Sequence, residues 1–323
     1  MRIVAVLAAA LATFAVAGGA VAQDYPTRPI MLVVPFPPGG QADTAARLLT
    51  KAMSERLGQN VIIENKPGAG GVIGAEIVMN ARPDGYVLFY GSSGPMGILP
   101  KLLKNISYDP VKNFVPIAAV AVSPLVLLVP PGKPYKTFKE FADYAKKNPD
   151  KLTFSSVGIG STQHLGGELL SISIGSKMIH VPYKGSAPAV IDLLAGRIDV
   201  GFDNYTPNKP NIEAGKLLPL AVAWEKRLAS LPDVPTTGEM GHPDVIMASW
   251  SSLAAPAGTP QPIIDKLASV LDDVMKDKAI IRFYEDAGST VLTGYVKDKA
   301  RDFYISEGIK FKRLIEKSGA TAE

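Results

Sequence analysis

The chain has 323 residues, 47% of them apolar, no cysteine and a formal net charge of +4. That length suits one to three ordinary domains. The missing cysteine excludes a disulfide scaffold, a cysteine nucleophile, zinc–thiolate sites and a cysteine-anchored lipoprotein. No run of Lys or Arg is long enough for a nucleic-acid tract, so the small positive charge favours anionic ligands only mildly.

Residues 1–22 (MRIVAVLAAALATFAVAGGAVA) carry one positive charge at Arg2, then an apolar run, then the small-x-small ending Ala20-Val21-Ala22. This is the pattern of a secretory signal peptide cleaved before Gln23, and it has no basic stop-transfer flank. No later segment offers about 20 uninterrupted apolar residues, as a membrane span needs. The expectation is a free soluble protein outside the cytoplasm.

From residue 30 onward the chain alternates strand, loop and helix. IMLVV (30–34) reads as a buried parallel strand, 42–57 as a helix, 60–65 as a second strand and 68–81 as a glycine-led helix. Residues 86–90 form a third strand ahead of GSSGPMG. PLVLLVPPG is a strand, and Thr137 with Glu140 forms a capping box before the helix FKEFADYAKKN. The strands LTFSSV and MIHVPY each lead through a loop, GIGST and KGSAP, into the helices QHLGGELLSIS and AVIDLLAG; strands RIDVGFDN and LPLAVA follow. Residues 246–255 are extended again, and three helical stretches, 262–275, 278–287 and 298–317, close the chain. The alternation predicts an α/β fold with a mostly parallel sheet. It falls into two halves that the chain crosses between at 122–130 and 246–256. The expected division is a signal peptide at 1–22, a discontinuous first lobe at 23–124 and 252–323, and a second lobe at 125–251.

The loop PFPPGGQADT (35–44) lacks the lysine of a phosphate-binding loop and the third glycine of a dinucleotide fingerprint. What remains is a glycine-rich turn at a helix N-terminus, either an anion site or a plain tight turn. Asp43 and Thr44 read there as first-turn or cap residues. The arrangement recurs in GSSGPMG (91–97), GIGSTQHL (158–165), YKGSAPA (183–189) and FDNYTPN (202–208). Five small polar loops at strand ends describe a cleft lined by backbone and hydroxyl donors, suited to a small carboxylate.

Catalytic patterns are sparse. The three histidines, His164, His180 and His242, form no metal-ligand spacing, and the Gly-x-Ser-x-Gly nucleophile elbow is absent. Ser161, His164 and Asp203 assemble into a triad only on paper, because serines in glycine loops more often cap helices or bind ligands. Phe36, Tyr183 and Tyr205 sit in candidate loops, as pocket walls or as packing. Trp224 and Trp250 read as core. Asp203, placed past a strand end, faces the ligand in this reading.

Seven stretches in order, YPTRPIMLVVPFPPGGQADTAARLL, IENKPGAGGVIGAE, PDGYVLFYGSSG, YDPVKNFVPIA, GSTQHLGGELL, VPYKGSAPAVIDLLAGRIDVGFDN and LPDVPTTGEMG, resemble the extracytoplasmic solute receptors of tripartite tricarboxylate transporters, often called Bug proteins. The resemblance covers nearly all of the mature chain. It implies a type II-like, two-lobed periplasmic binding protein that closes on one small ligand, without cofactor, metal or catalytic residues. Carried over by motif, a carboxylate is held by Phe36, Pro38, Gly39, Gly40 and Asp43, largely through main chain and bridging waters, and by Ser92 and Ser93. The second lobe adds Gly160, Ser161, Thr162 and His164, then Tyr183, Lys184 and Asp203. Asn113 replaces a frequent family Asp, outside the cleft loops. The implied partners are a mono- or dicarboxylate and the membrane subunits of a tripartite transporter, the receptor itself being a monomer. The competing readings are an exported serine hydrolase using Ser161 and His164, and a ligand-presenting partner of a membrane sensor.

Overall fold

The computed structural model describes residues 25–321. The signal segment and its cleavage before Gln23 lie outside the described residues.

Strand β1 (Ile30–Val34) lies between β2 (Val61–Asn65) and β3 (Val87–Ser92) and is parallel to both. Its nearly unbroken apolar run follows from burial on both faces. Val33 enters a core with Phe89 and Phe311, while Ile30, Leu32 and Val34 enter another with Leu49 and Leu267. Helix α1 (Gln41–Leu57) starts directly after the proline-glycine turn and stops at Gly58, whose left-handed φ of 68° closes it. The segment expected as one helix at 68–81 is broken: a 3₁₀ turn at Ala69–Gly71 precedes α2 (Val72–Met79), because Gly70 and Gly71 take φ of 64° and 103°. After β3 comes a π-helical turn, Gly94–Ile98, and the short α3 (Leu99–Leu102), where a loop was expected.

The sixteen-residue β4 (Phe114–Val129) joins the two halves. Its first part, Phe114 to Pro124, runs antiparallel to β9 (Ala248–Pro256), with β10 (Thr290–Val291) on the other edge at Ala121 and Val122. Its last part pairs with β7 (Val200–Asn204) and β8 (Leu218–Val222). Parallel strands β5 (Thr153–Ser156) and β6 (Ile179–Pro182) extend the sheet beyond β7, giving the order β2-β1-β3-β9-β4-β7-β5-β6. The chain therefore crosses between the halves twice, in β4 and where Met247 leads into β9.

Helices α4 (Phe138–Lys147, with the expected Thr137–Glu140 capping box), α5 (Thr162–Ile174) and α6 (Ser186–Leu194) connect the second half. The segment 202–208, read as a loop, is instead the end of β7 and the start of α7 (Tyr205–Glu213). Pro207 is tolerated in the first turn, where backbone N–H groups have no intrahelical partner. Helices α8 (Gln261–Met275) and α9 (Lys278–Asp286) share the core of β1 and α1, whereas α10 (Asp298–Ser318) packs on α3 and also on α5. Among the described residues no helix is long and apolar enough to cross a membrane.

Candidate functional site

The strand ends of both halves meet over a cavity of about 110 Å³. One water needs roughly 10–15 Å³ on the same measure, so there is room for a small organic molecule. The halves approach closely at glycines. A Cβ on Gly160 would fall 2.2 Å from Leu99 Cδ2, one on Gly70 3.0 Å from the Ile159 carbonyl oxygen, and one on Gly185 3.4 Å from Pro37 Cδ.

Four helices point their N-termini at this cavity. The N-caps of α1, α5, α6 and α7, namely Gly40, Ser161, Gly185 and Asn204, all line it, as does Ser93 at the head of the π turn. Gly40, Gly185 and Asn204 make no side-chain cap, so the first-turn N–H groups of their helices keep that bonding capacity. Each N-terminus carries a partial positive charge, and four together favour an anion. Lys184 is the only charged side chain in the lining among the described residues; it is exposed and makes no ion pair.

The turn ahead of α1 is held from behind. Asp43 is 3% exposed and accepts from Gly39 N at 3.1 Å, from Arg47 Nε and Nη2 at 2.9 and 3.0 Å, and from Asn65 Nδ2 at 3.1 Å. Burial alone raises its pKa, but the Arg47, Gly39 and Asn65 hydrogen bonds prevail and hold the carboxyl below its ordinary range. Asn65 Nδ2 also donates to the Phe36 carbonyl at 2.9 Å. Asp43 thus fixes the turn at Gly39, whose φ of 83° only glycine adopts readily, and does not reach the cavity.

The opposite wall has its own buried aspartate. Asp203, in β7 and not past its end, accepts from Asn204 N at 2.8 Å, Gln163 Nε2 at 3.0 Å, Asn208 Nδ2 at 3.1 Å and Ser186 Oγ at 3.2 Å. With no cation beside it, burial pushes its carboxyl above the ordinary range despite four donors. Three of those donors, Gln163, Ser186 and Asn204, line the cavity, so Asp203 aims them without touching it.

Ser161 and His164 are not arranged as nucleophile and base. Ser161 Oγ donates to the Gly158 carbonyl at 2.6 Å and accepts from His164 N at 3.1 Å, which is an N-cap. His164 Nδ1 accepts from Gly160 N at 3.3 Å, and its ring stacks on His180 at 4.1 Å between centroids. His180 in turn stacks on Phe154. Burial lowers both histidines to about 4, so both are neutral near pH 7. Among the described residues no cluster of three His, Asp or Glu is placed to hold a metal.

Of the residues expected at the ligand, the structure brings Phe36, Pro38, Gly40, Ser92, Ser93, Ser161, Thr162 and Lys184 to the cavity. Gly39, Asp43, Gly160, His164, Tyr183 and Asp203 stand outside the lining. Gly39 and Gly160 spend their N–H groups on Asp43 and His164, and Tyr183 donates its hydroxyl to Asp192 at 2.7 Å. Tyr205 packs in the core of the second half. The sequence reading missed Gln41, Gln163 and Asn204, which were legible as residues flanking the glycine loops. It also missed Tyr90, Ser123, Ser249, Ser251 and Tyr284. Trp250, expected as core, is core and also reaches the lining.

Comparison with known proteins agrees with this architecture. A model of the tripartite tricarboxylate transporter family receptor matches residues 45–320. The chain is 33% identical to protein BugT of Bordetella pertussis over 320 residues, 99% of this chain and 98% of BugT. It superposes on the periplasmic binding protein BugD with a TM-score of 0.87 at 36% identity, covering 92% of this chain and 99% of BugD. It superposes on MatC from Rhodopseudomonas palustris with bound malate with a TM-score of 0.85 at 32% identity, covering 90% of this chain and 100% of MatC. A family match this long, on a two-lobed fold with a cavity between strand ends, makes the chain a member of the tripartite tricarboxylate transporter receptor family, of the Bug type.

Proposed function

We propose that this protein is a periplasmic receptor that captures a small organic carboxylate between its lobes and hands it to the membrane subunits of a tripartite transporter. The convergence of four helix N-termini on one cavity, with Lys184 at its edge, carries the reading. A carboxylate there meets main-chain N–H groups and hydroxyls, and its charge is balanced without a buried arginine. Malate in the related MatC supports the same ligand class. The lobe boundary at 124/125 fits the change of partner along β4, from β9 to β7 and β8, while the return crossing falls where Met247 leads into β9, a few residues ahead of the expected 251/252. Closure about those crossings buries the ligand, and the closed surface is what the membrane subunits recognise. Export by cleavage before Gln23 and a monomeric receptor complete the proposal.

The test is thermal unfolding of the purified protein with citrate, C4 dicarboxylates, acidic amino acids and aromatic acids, each beside its amide. A ligand at about 100 times its dissociation constant adds roughly 2.7 kcal/mol, a shift of several degrees. A shift with an acid and not its amide supports carboxylate capture. If no acid shifts the protein, and none is released when the purified protein is denatured, the reading is wrong.

A further inference from the structure

The first lobe meets the cavity with carbon. Ala42 and Ala45, one turn apart on α1, line it together with Tyr90 of β3 and Tyr284 of α9. Ala45, Tyr90 and Tyr284 belong to one apolar core, and Ala42 packs against it. Trp250 of β9 also reaches the lining. The polar ends of these rings face elsewhere. The Tyr284 hydroxyl and the Trp250 indole N–H are sealed inside the protein, and the Tyr90 hydroxyl bonds to Ser251. What the three rings show the cavity is therefore ring carbon.

The polar side chains of the second lobe are already committed. The hydroxyls of Ser161, Thr162 and Ser186 donate to the Gly158 carbonyl, to Gln163 Oε1 and to Asp203. Gln163 spends its amide hydrogen on Asp203, and Asn204 spends its own on the Ser123 carbonyl and Ser249 Oγ. A carboxylate is left chiefly with the main-chain N–H groups of the helix N-termini and with Lys184. No arginine or histidine lines the cavity among the described residues. A second carboxylate would lose its water against carbon with no cation facing it, which is costly. The cavity of about 110 Å³ holds roughly seven to eleven water-sized groups, the size of benzoate or hexanoate.

We propose that the ligand is a monocarboxylate with a hydrocarbon body, its charged end at the helix N-termini and its body on the floor formed by Ala42, Ala45, Tyr90 and Tyr284. The inference rests on the receptor reading above and sharpens it, because the floor selects against acids that are polar at both ends. Burial of the body, not a further hydrogen bond, then sets affinity within a series of acids.

The experiment is calorimetric titration of protein freed of ligand by unfolding in guanidinium and refolding. The probes are propanoate, butanoate, pentanoate, hexanoate and benzoate, with succinate and malate beside them. Affinity should rise about fourfold with each added methylene up to hexanoate. Benzoate should bind at least about tenfold more tightly than either diacid, with a negative heat-capacity change that marks apolar burial. Ala42→Leu fills part of the floor and should weaken hexanoate and benzoate at least about tenfold while propanoate stays within about twofold; Ala45→Val carries the same test if Ala42→Leu does not fold. A flat chain-length series, or a diacid that binds as tightly as benzoate, overturns the hydrocarbon floor and leaves the receptor reading standing. So does a folded variant that weakens propanoate as much as hexanoate. Failure of every carboxylate, diacids included, to bind the refolded parent overturns the receptor reading and this inference together.

Discussion

The two turns that face each other across the cavity solve the same problem with opposite electrostatics. Both bring backbone N–H groups to the cavity, and both are anchored from behind by an aspartate that stands outside its lining. Asp43 has the Arg47 guanidinium one helical turn away, and that side chain is 59% exposed. Asp203 is 7% exposed and has only neutral donors. The first carboxylate is content as an anion. Burial disfavours the charged form of the second, and its place in the fold is to gather Gln163, Ser186, Asn204 and Asn208 from three helices and a strand end. A buried acid near a binding site is thus as readily a scaffold for the site's donors as a contact for the ligand.

Removing each anchor should separate the two cases most clearly. Asp203→Ala leaves four buried donors without their acceptor, and a loss of at least about 2 kcal/mol in urea unfolding is expected. Asp43→Ala should lose about half of that, since Arg47 returns to water and only the Gly39 N–H and the Asn65 amide are stranded. Equal losses would mean that exposure of the partner does not set the difference.

The pH dependence sharpens the contrast, because the two shifts have opposite signs. Asp43 has a folded pKa below the unfolded value of about 3.9, so its contribution is present above that value and is lost as pH falls through the folded pKa. Asp203 has a raised folded pKa, so its ionisation weakens the fold above that pKa, and the penalty is relieved as pH falls toward about 3.9. Measured against Asp203→Asn, the parent should gain stability on moving from pH 7 to about 4.5. Measured against Asp43→Asn, it should lose stability below about pH 4. Two differences with the same sign would contradict the pairing described here.

The smallest effect is expected at the rim. Lys184 is exposed and unpaired, so Lys184→Met should lower carboxylate affinity only a few-fold, mainly through the association rate, and the difference should fade at high salt. A larger, salt-independent loss would place the ammonium in direct contact with the ligand and shift weight away from the helix N-termini.

Sequence alone determined most of the strand and helix order, though not α3, α7 or β10, together with the glycine turns that open α1, α5 and α6 and the capping box of α4. These are short-range properties: burial periodicity, cap chemistry and the conformational freedom of glycine act within a few residues. The resemblance carried by seven ordered motifs also supplied the family and eight residues of the lining. Tertiary structure decided which side chains look into the cavity. Asp203 was expected beyond a strand and lies within one, and β-strand alternation then turns it behind the wall. Tyr284, on a C-terminal helix, reaches a cavity that begins at Phe36 because α8 and α9 share the core of α1. Ser251 meets Ser92 because β9 pairs antiparallel with β3 across some 160 residues of chain. Such meetings are fixed by strand register and helix packing, which join distant segments and leave no mark in either one alone.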